Sequence, residues 1–305
     1  MMKKYSARGE QRQGIALLIT LFFIIAITAA IGISLMQVRQ SQEALHESRF
    51  LVQSSAILED VLGLMSEVEK IAEVSDAESL NLFLLSTSFI PLELQELLVK
   101  IEISSAVGKI NINTLATKPE FQEAFRNYAS QFNVQDVFFL NDILIDAMSG
   151  DKESYKTNIF DERPELYRQR IVSKRHLDMI LDFYVLERHD NSVLQLPWNQ
   201  LVRFDENNNS KLDANYITAD LWQMLLPGVS QERAIELSAG EMVYATLEDL
   251  ELNEEQKVAA QKFSLGFYEP VVHLNIEMME SNSSARIDFD YDLSSKKGKH
   301  FEFGI

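Results

Sequence analysis

The densest set of potential ligands in the chain is Asp205-Glu206-Asn207-Asn208-Asn209-Ser210-Lys211-Leu212-Asp213. Oxygen-bearing side chains at Asp205, Asn207, Asn209 and Asp213 follow the alternation of the first nine positions of an EF-hand loop, which wraps Ca²⁺ by turning every second side chain inward. Two positions depart from that pattern: Ser210 stands where the turn glycine belongs, and Tyr216 replaces the bidentate glutamate. The expectation is a Ca²⁺ site at Asp205, Asn207, Asn209 and Asp213, with an Asx-rich surface turn as the competing account.

Catalytic chemistry has less to stand on. The five histidines, His46, His176, His189, His273 and His300, show no zinc-ligand spacing. There is no Gly-x-Ser-x-Gly, no glycine-rich phosphate loop and no cysteine. Asp142, Asp146 and Asp151 are expected to form a solvated helix face rather than a site, and Trp198 and Trp222, among apolar neighbours, are expected in the core. The chain is not expected to be an enzyme.

The elements that must carry these residues begin with an apolar run. Ile15 to Met36 is 22 residues with no charge, no proline and one glycine. As a helix it would be ~33 Å long, enough for a bilayer core of roughly 30 Å. Lys3, Lys4, Arg8 and Arg12 precede it against the single acid Glu10. That bias expects the N-terminus in the cytoplasm and all residues after Met36 exported. A cleaved secretory signal is disfavoured, because no small-x-small site follows the run. The whole chain has 28 basic and 46 acidic residues, a net charge of −18, which argues against a nucleic-acid partner.

From Gln37 to about Val74 the apolar residues keep a helical spacing, so the membrane helix is expected to continue outside the bilayer. A coiled-coil dimer is the alternative, although the spacing drifts from strict heptads. Leu98 to Ile103 alternates and then reaches Gly108-Lys109-Ile110-Asn111-Ile112-Asn113, which predicts two short strands around a turn. Lys109 to Thr114 is echoed 102 residues later by Lys211-Leu212-Asp213-Ala214-Asn215-Tyr216. The second copy runs into Leu225-Leu226-Pro227-Gly228-Val229 and Thr246-Leu247-Glu248-Asp249-Leu250, similar to a helix-hairpin-helix unit. With only Lys211 and Arg233 positive between Asp205 and Leu250, packing is the expected role rather than DNA binding. Pro119 to about Phe267 reads as mostly helical, and the C-terminus as a three-stranded antiparallel meander burying Val272, Leu274, Ile276 and Met278, then Ile287, Phe289, Tyr291 and Leu293, then Phe301 and Phe303.

Arg12-Gln13-Gly14 followed by Ile15-Ala16-Leu17-Leu18 resembles the prepilin leader junction of type IV pilins and type II secretion pseudopilins. The resemblance implies cleavage after Gly14 by a prepilin peptidase and methylation of the new N-terminal residue, Ile15. Most such proteins carry a glutamate fifth after the cut, and here that residue is Ile19. Its absence is the mark of the minor pseudopilin K type, and the Gly108-x-x-Asn111-x-Asn113 pattern is also similar to that type.

The resemblance implies an α+β chain: a long N-terminal transmembrane helix, then a pilin-like antiparallel sheet head with a helical, helix-hairpin-helix or SAM-like insertion. The expected divisions are a leader at 1–14, membrane helix at 15–36, its periplasmic extension at 37–74, the first part of the head at 75–118, helical insertion at 119–267 and C-terminal meander at 268–305. It further implies a place at the pseudopilus tip, initiation of pseudopilus assembly, and Ca²⁺ as a ligand. The implied partners are other minor pseudopilins, the major pseudopilin and the bacterial inner membrane, with a secreted substrate or secretin beyond them. Two readings compete: a minor pilin of a type IV pilus or DNA-uptake system, and a signal-anchored periplasmic ligand-binding protein or enzyme.

Overall fold

The computed structural model describes residues 52–67, 71, 73–94, 97–205, 212–240, 242–280 and 283–304. The chain divides into two compact units, Met1–Val61 and Leu62–Ile305. In the first, residues 52–61 are helical; the second opens in helix up to residue 67. The expected leader, membrane helix and residues 37–51 lie outside the described residues. Among the described residues no helix is long and apolar enough to cross a membrane.

In the second unit, helix α1 (Ala77–Thr87) starts at a reciprocal cap in which Asp76 accepts from the Ser79 backbone and Ser79 answers to the Asp76 backbone. Strands β1 (Phe89–Leu94) and β2 (Leu97–Ser105) follow as an antiparallel pair. The chain then leaves the sheet through β3 (Ile110–Asn111), α2 (Pro119–Gln131), α3 (Val137–Met148), α4 (Lys174–Arg188) and β4 (Val202–Arg203). A second series runs through β5 (Leu212–Asp213), α5 (Ala219–Leu225), α6 (Gln231–Ser238), α7 (Glu254–Lys262) and β6 (Leu265–Gly266). The chain re-enters the sheet as β7 (Val271–Glu280), β8 (Ser283–Asp292) and β9 (Lys297–Gly304).

The five long strands form one antiparallel sheet in the order β1-β2-β7-β8-β9. The predicted C-terminal meander is present, and the strand around Ile101 joins it. Val99 faces Met278, Ile101 faces Ile276 and Ile103 faces Leu274, all buried, so two apolar faces of matching period set the register. All helical elements of residues 106–270 therefore interrupt a connection between two neighbouring strands.

Three features of the sheet depart from the sequence pattern. The strand at Ile110 does not enter the main sheet; it pairs in parallel with β4, inside the insertion. The sheet gains an edge strand, β1, that the alternation did not reveal. Phe301 and Phe303 are not buried on the sheet's core face but are 42% and 59% exposed, because β9 is the other edge and its register slips between Asp288 and Asp290. His300, at φ 56°, occupies that bulge, which re-aims its side chain.

The insertion has a large core of its own, with Leu140, Ile143, Tyr184 and Trp222 wholly buried. Trp198 and Trp222 sit there as expected, the Trp198 indole donating to the Val193 carbonyl.

Candidate functional site

The sequence echo is a structural repeat. In the first copy Asn111 caps a 3₁₀ turn at Ile112–Ala116 by accepting from the Asn113 backbone. In the second, Asp213 caps the turn at Ala214–Tyr216 by accepting from the Asn215 backbone. The next asparagine of each copy is a clamp. Asn113 Oδ1 accepts from the Ile171 N–H at 2.7 Å and its Nδ2 donates to the Ile171 carbonyl at 3.0 Å. Asn215 Oδ1 accepts from the Tyr244 N–H at 2.6 Å and its Nδ2 donates to the Tyr244 carbonyl at 3.0 Å.

Each copy also contains a helix pair joined by a tight turn. Gly228, at φ 66°, turns α5 into α6, whose first turn is capped by Ser230. Asn133, at φ 60°, stands between α2 and α3, and Asp136 caps the latter. A helix-hairpin-helix shape is thus present twice. The basic residue of the second hairpin, Arg233, is partly buried and already engaged: it donates to the Leu250 carbonyl at 2.8 Å and pairs with Glu236 at 2.7 Å.

The two copies meet at Gly108. A Cβ built there would overlap the Tyr216 carbonyl, and the Asp213 N–H donates to the Val107 carbonyl at 3.1 Å. This close backbone approach requires the glycine of the Gly-x-x-Asn-x-Asn pattern.

Of the four expected Ca²⁺ ligands, Asn207 and Asn209 lie outside the described residues. Asp213 is fully buried; Oδ1 accepts from both the backbone and the amide of Asn215, and Oδ2 from the Glu269 N–H at 2.9 Å. Burial pushes its carboxyl up, against the pull of those bonds. Asp205 is buried too, with Oδ1 2.7 Å from His300 Nε2 and Oδ2 3.3 Å from Arg203. The two acids hold protein donors and do not make a cation site by themselves. Among the described residues no group of three or more His, Asp and Glu side chains is arranged to hold a metal ion.

Asp205 instead belongs to a charged chain that sequence reading did not find. His300 Nδ1 meets Asp290 Oδ2 at 3.0 Å, Asp290 Oδ1 meets His273 Nδ1 at 2.9 Å, and His273 Nε2 lies 3.4 Å from Asp288. Hydrogen bonds to Asp205 and Asp290 push the His300 imidazole up to about 9. For His273 burial acts downward, but Asp288 and Asp290 outweigh it and the result is also about 9. Burial likewise opposes the ionisation of Asp290, yet its two histidines bring it down to about 2. The period-two alternation of β7 and β8 placed His273, Asp288 and Asp290 on polar faces; only pairing puts His273 opposite Asp290.

The acidic trio disperses. Asp146 is buried rather than solvated, accepting from the Lys156 and Thr157 backbones and the Thr157 hydroxyl. Asp142 pairs with Lys156, and Asp151 caps its own turn. Gly14 and Ile15, the expected processing residues, lie outside the described residues.

No family model and no curated protein matches the chain. Among solved structures, it is similar to a chain in the crystal structure of the GspK-GspI-GspJ complex of the type 2 secretion system from enterotoxigenic Escherichia coli, at 13% identity, with a TM-score of 0.49, over 83% of this chain and 99% of that one.

Proposed function

We propose that the chain is a minor pseudopilin of a type II secretion system, of the kind resembling the K type, and that it acts by assembly rather than catalysis. The observation that carries the reading is topological: a doubled helical unit separates β2 from β7, two paired strands of an antiparallel head sheet. The sequence adds the Gly14-Ile15 junction, the apolar run behind it and Ile19 where a carboxylate is usual. A carboxylate in lipid is costly without a partner amine, so a subunit with nothing stacked above it does without one. The reading places the chain at the pseudopilus tip, initiating growth with other minor pseudopilins above the major one. Its single span lies in the inner membrane with the head in the periplasm, where it meets a secreted substrate or the secretin. Ca²⁺ belongs to this reading through the 205–213 loop, with Asp205, Asn207, Asn209 and Asp213 as the oxygen-bearing residues of that loop.

DNA uptake is the weaker reading, since Arg233, the basic residue of the second hairpin, is spent on Leu250 and Glu236. Mass spectrometry of the native N-terminus tests the proposal. A methylated Ile15 is expected, together with loss of secretion on deleting the gene; a retained Met1 overturns it in favour of a simple anchor.

A further inference from the structure

The two edges of the head sheet are finished differently. Among the described residues no strand lies outside β1 or β9. In β1 the Ser88 carbonyl, just before the strand, accepts from the Ile103 N–H of β2, so the alternation of the ladder turns the main chains of Phe89, Pro91 and Glu93 outward. Pro91, at the centre of that outward set, has no N–H to offer, which blunts this edge against another strand.

Strand β9 contains no proline, and past the bulge at His300 its residues 301–304 are all exposed. Phe301 stacks on the buried Phe289 with ring centres 5.1 Å apart, and Phe303 faces the buried Ile287. These two rings carry the apolar face of the sheet out to an edge where both remain open to solvent. Unpaired main-chain groups beside exposed aromatic rings are what a further strand buries.

The other face of the same edge is charged. Glu302 stands directly across from Asp288, a like-charge pair of the kind that destabilises a sheet. Partial burial and the facing Asp288 push the Glu302 carboxyl up. The cations that act on it, Arg286 and His273, are already committed: Arg286 donates to Asp288 at 2.7 and 2.9 Å, and His273 meets Asp290 at 2.9 Å. Among the described residues no cation bonds Glu302 directly. Beside the bulge a cavity of about 320 Å³ opens between Phe301 and Glu302 on one side and Ile171, Val172 and Phe204 on the other.

We propose that residues 301–304 of β9 accept an added strand from a partner protein, an extended segment in which apolar and basic residues alternate. Main-chain hydrogen bonds to the open edge hold the segment, and the side chains on its two faces select it. Its apolar side chains cover Phe301 and Phe303, and its end runs toward the cavity beside the bulge. Its basic side chain lies across from Glu302 and supplies the cation that the facing carboxylates lack. A second copy of β9 fits poorly, because the antiparallel register that sets Phe301 against Phe303 also sets Glu302 against Glu302. This surface is independent of the pseudopilin reading, since the edge belongs to the folded head whatever the head assembles with.

The test is fluorescence anisotropy of a labelled Thr-Val-Lys-Val-Lys-Val-Thr peptide with the full chain in zwitterionic detergent at about 0.15 M salt. Binding is expected, weaker by about fivefold or more in Glu302→Lys, where a cross-strand attraction becomes a repulsion. In that variant the Thr-Val-Glu-Val-Glu-Val-Thr peptide should bind instead. Phe303→Ser should also weaken binding, whereas Glu93→Lys, on the β1 edge, should leave it unchanged. Circular dichroism checks that the variants fold. Equal binding of Thr-Lys-Lys-Val-Val-Val-Thr, which keeps the charge and loses the alternation, would overturn the proposal by showing attraction to the acidic head alone. Equal binding of the fully N-methylated peptide would overturn it too, because that peptide cannot donate to an edge. So would absence of binding, equal loss in Glu93→Lys, or a dimer of the free chain that Phe303→Ser breaks, which gives the edge to a second copy.

Discussion

Asn113 and Ile171, 58 residues apart, are joined by two hydrogen bonds of opposite direction, the asparagine amide mimicking one rung of a sheet. The same side chain reaches the Asp205 carbonyl at 3.2 Å, so one buried residue ties three segments of the insertion. Asn215 repeats the arrangement with Tyr244 and Phe267.

Removing either clamp leaves buried backbone groups without partners. Asn113→Ala and Asn215→Ala should each lower the unfolding free energy by about 2–3 kcal/mol, as each strands more than one donor or acceptor. Urea denaturation of the full chain in detergent checks this. Asn113→Asp should be no milder, since a carboxylate keeps the acceptor for Ile171 but turns the donor into a second acceptor facing its carbonyl. A loss below about 0.5 kcal/mol in all three would show that the clamps are incidental.

Two glycines should respond oppositely to alanine. At Gly108 the new methyl meets the Tyr216 backbone, which cannot give way as a side chain would, so a loss of about 3 kcal/mol or more is expected. Gly63 lies within helix with nothing within 4 Å of the added Cβ, and Gly63→Ala should stabilise by about 0.5–1 kcal/mol. Thermal scans of the pair provide the comparison.

The His273 pair gives the head a pH signature. Its folded value of about 9 exceeds the ordinary 6.5, so its contribution is complete below about 6.5 and is lost as the pH rises through about 9. Asp290, lowered to about 2 from 3.8, contributes fully above about 4 and is lost as the pH falls through about 2. Stability should therefore decline between about pH 6.5 and 9, a window shared with His300, and His273→Gln should make that decline shallower. An unchanged slope in the variant would remove His273 from the account.

Calcium titration separates the loop's two roles. If Asn207 and Asn209 bind the ion, Ca²⁺ should raise the melting temperature, and the Asn207→Ala, Asn209→Ala variant should lose that increment. Asp213→Ala should destabilise the chain in calcium and in chelator alike, because its carboxylate caps the Ala214–Tyr216 turn and holds the Glu269 N–H. No thermal shift and no heat of binding would take Ca²⁺ out of the proposal.

Local pattern determined much of this protein. The alternation at 272–278 and 287–293, the helical spacing at 119–132 and 173–187, and the echo of Asn113 in Asn215 were all legible, because period, capping chemistry and spacing are properties of short segments. The Gly108-x-x-Asn111-x-Asn113 pattern was visible too, though not its reason, a carbonyl more than a hundred residues away. Tertiary structure alone decided that β2 pairs with β7 across the whole insertion, and that Ile110 stays inside the insertion. It also turned Asp205 toward His300 and Arg203, and sank Asp146 into the fold. Those outcomes depend on which apolar faces find each other and on a bulge at His300 that no alternation announces. A side chain's period is written locally, whereas its partner is chosen by the packing of distant segments.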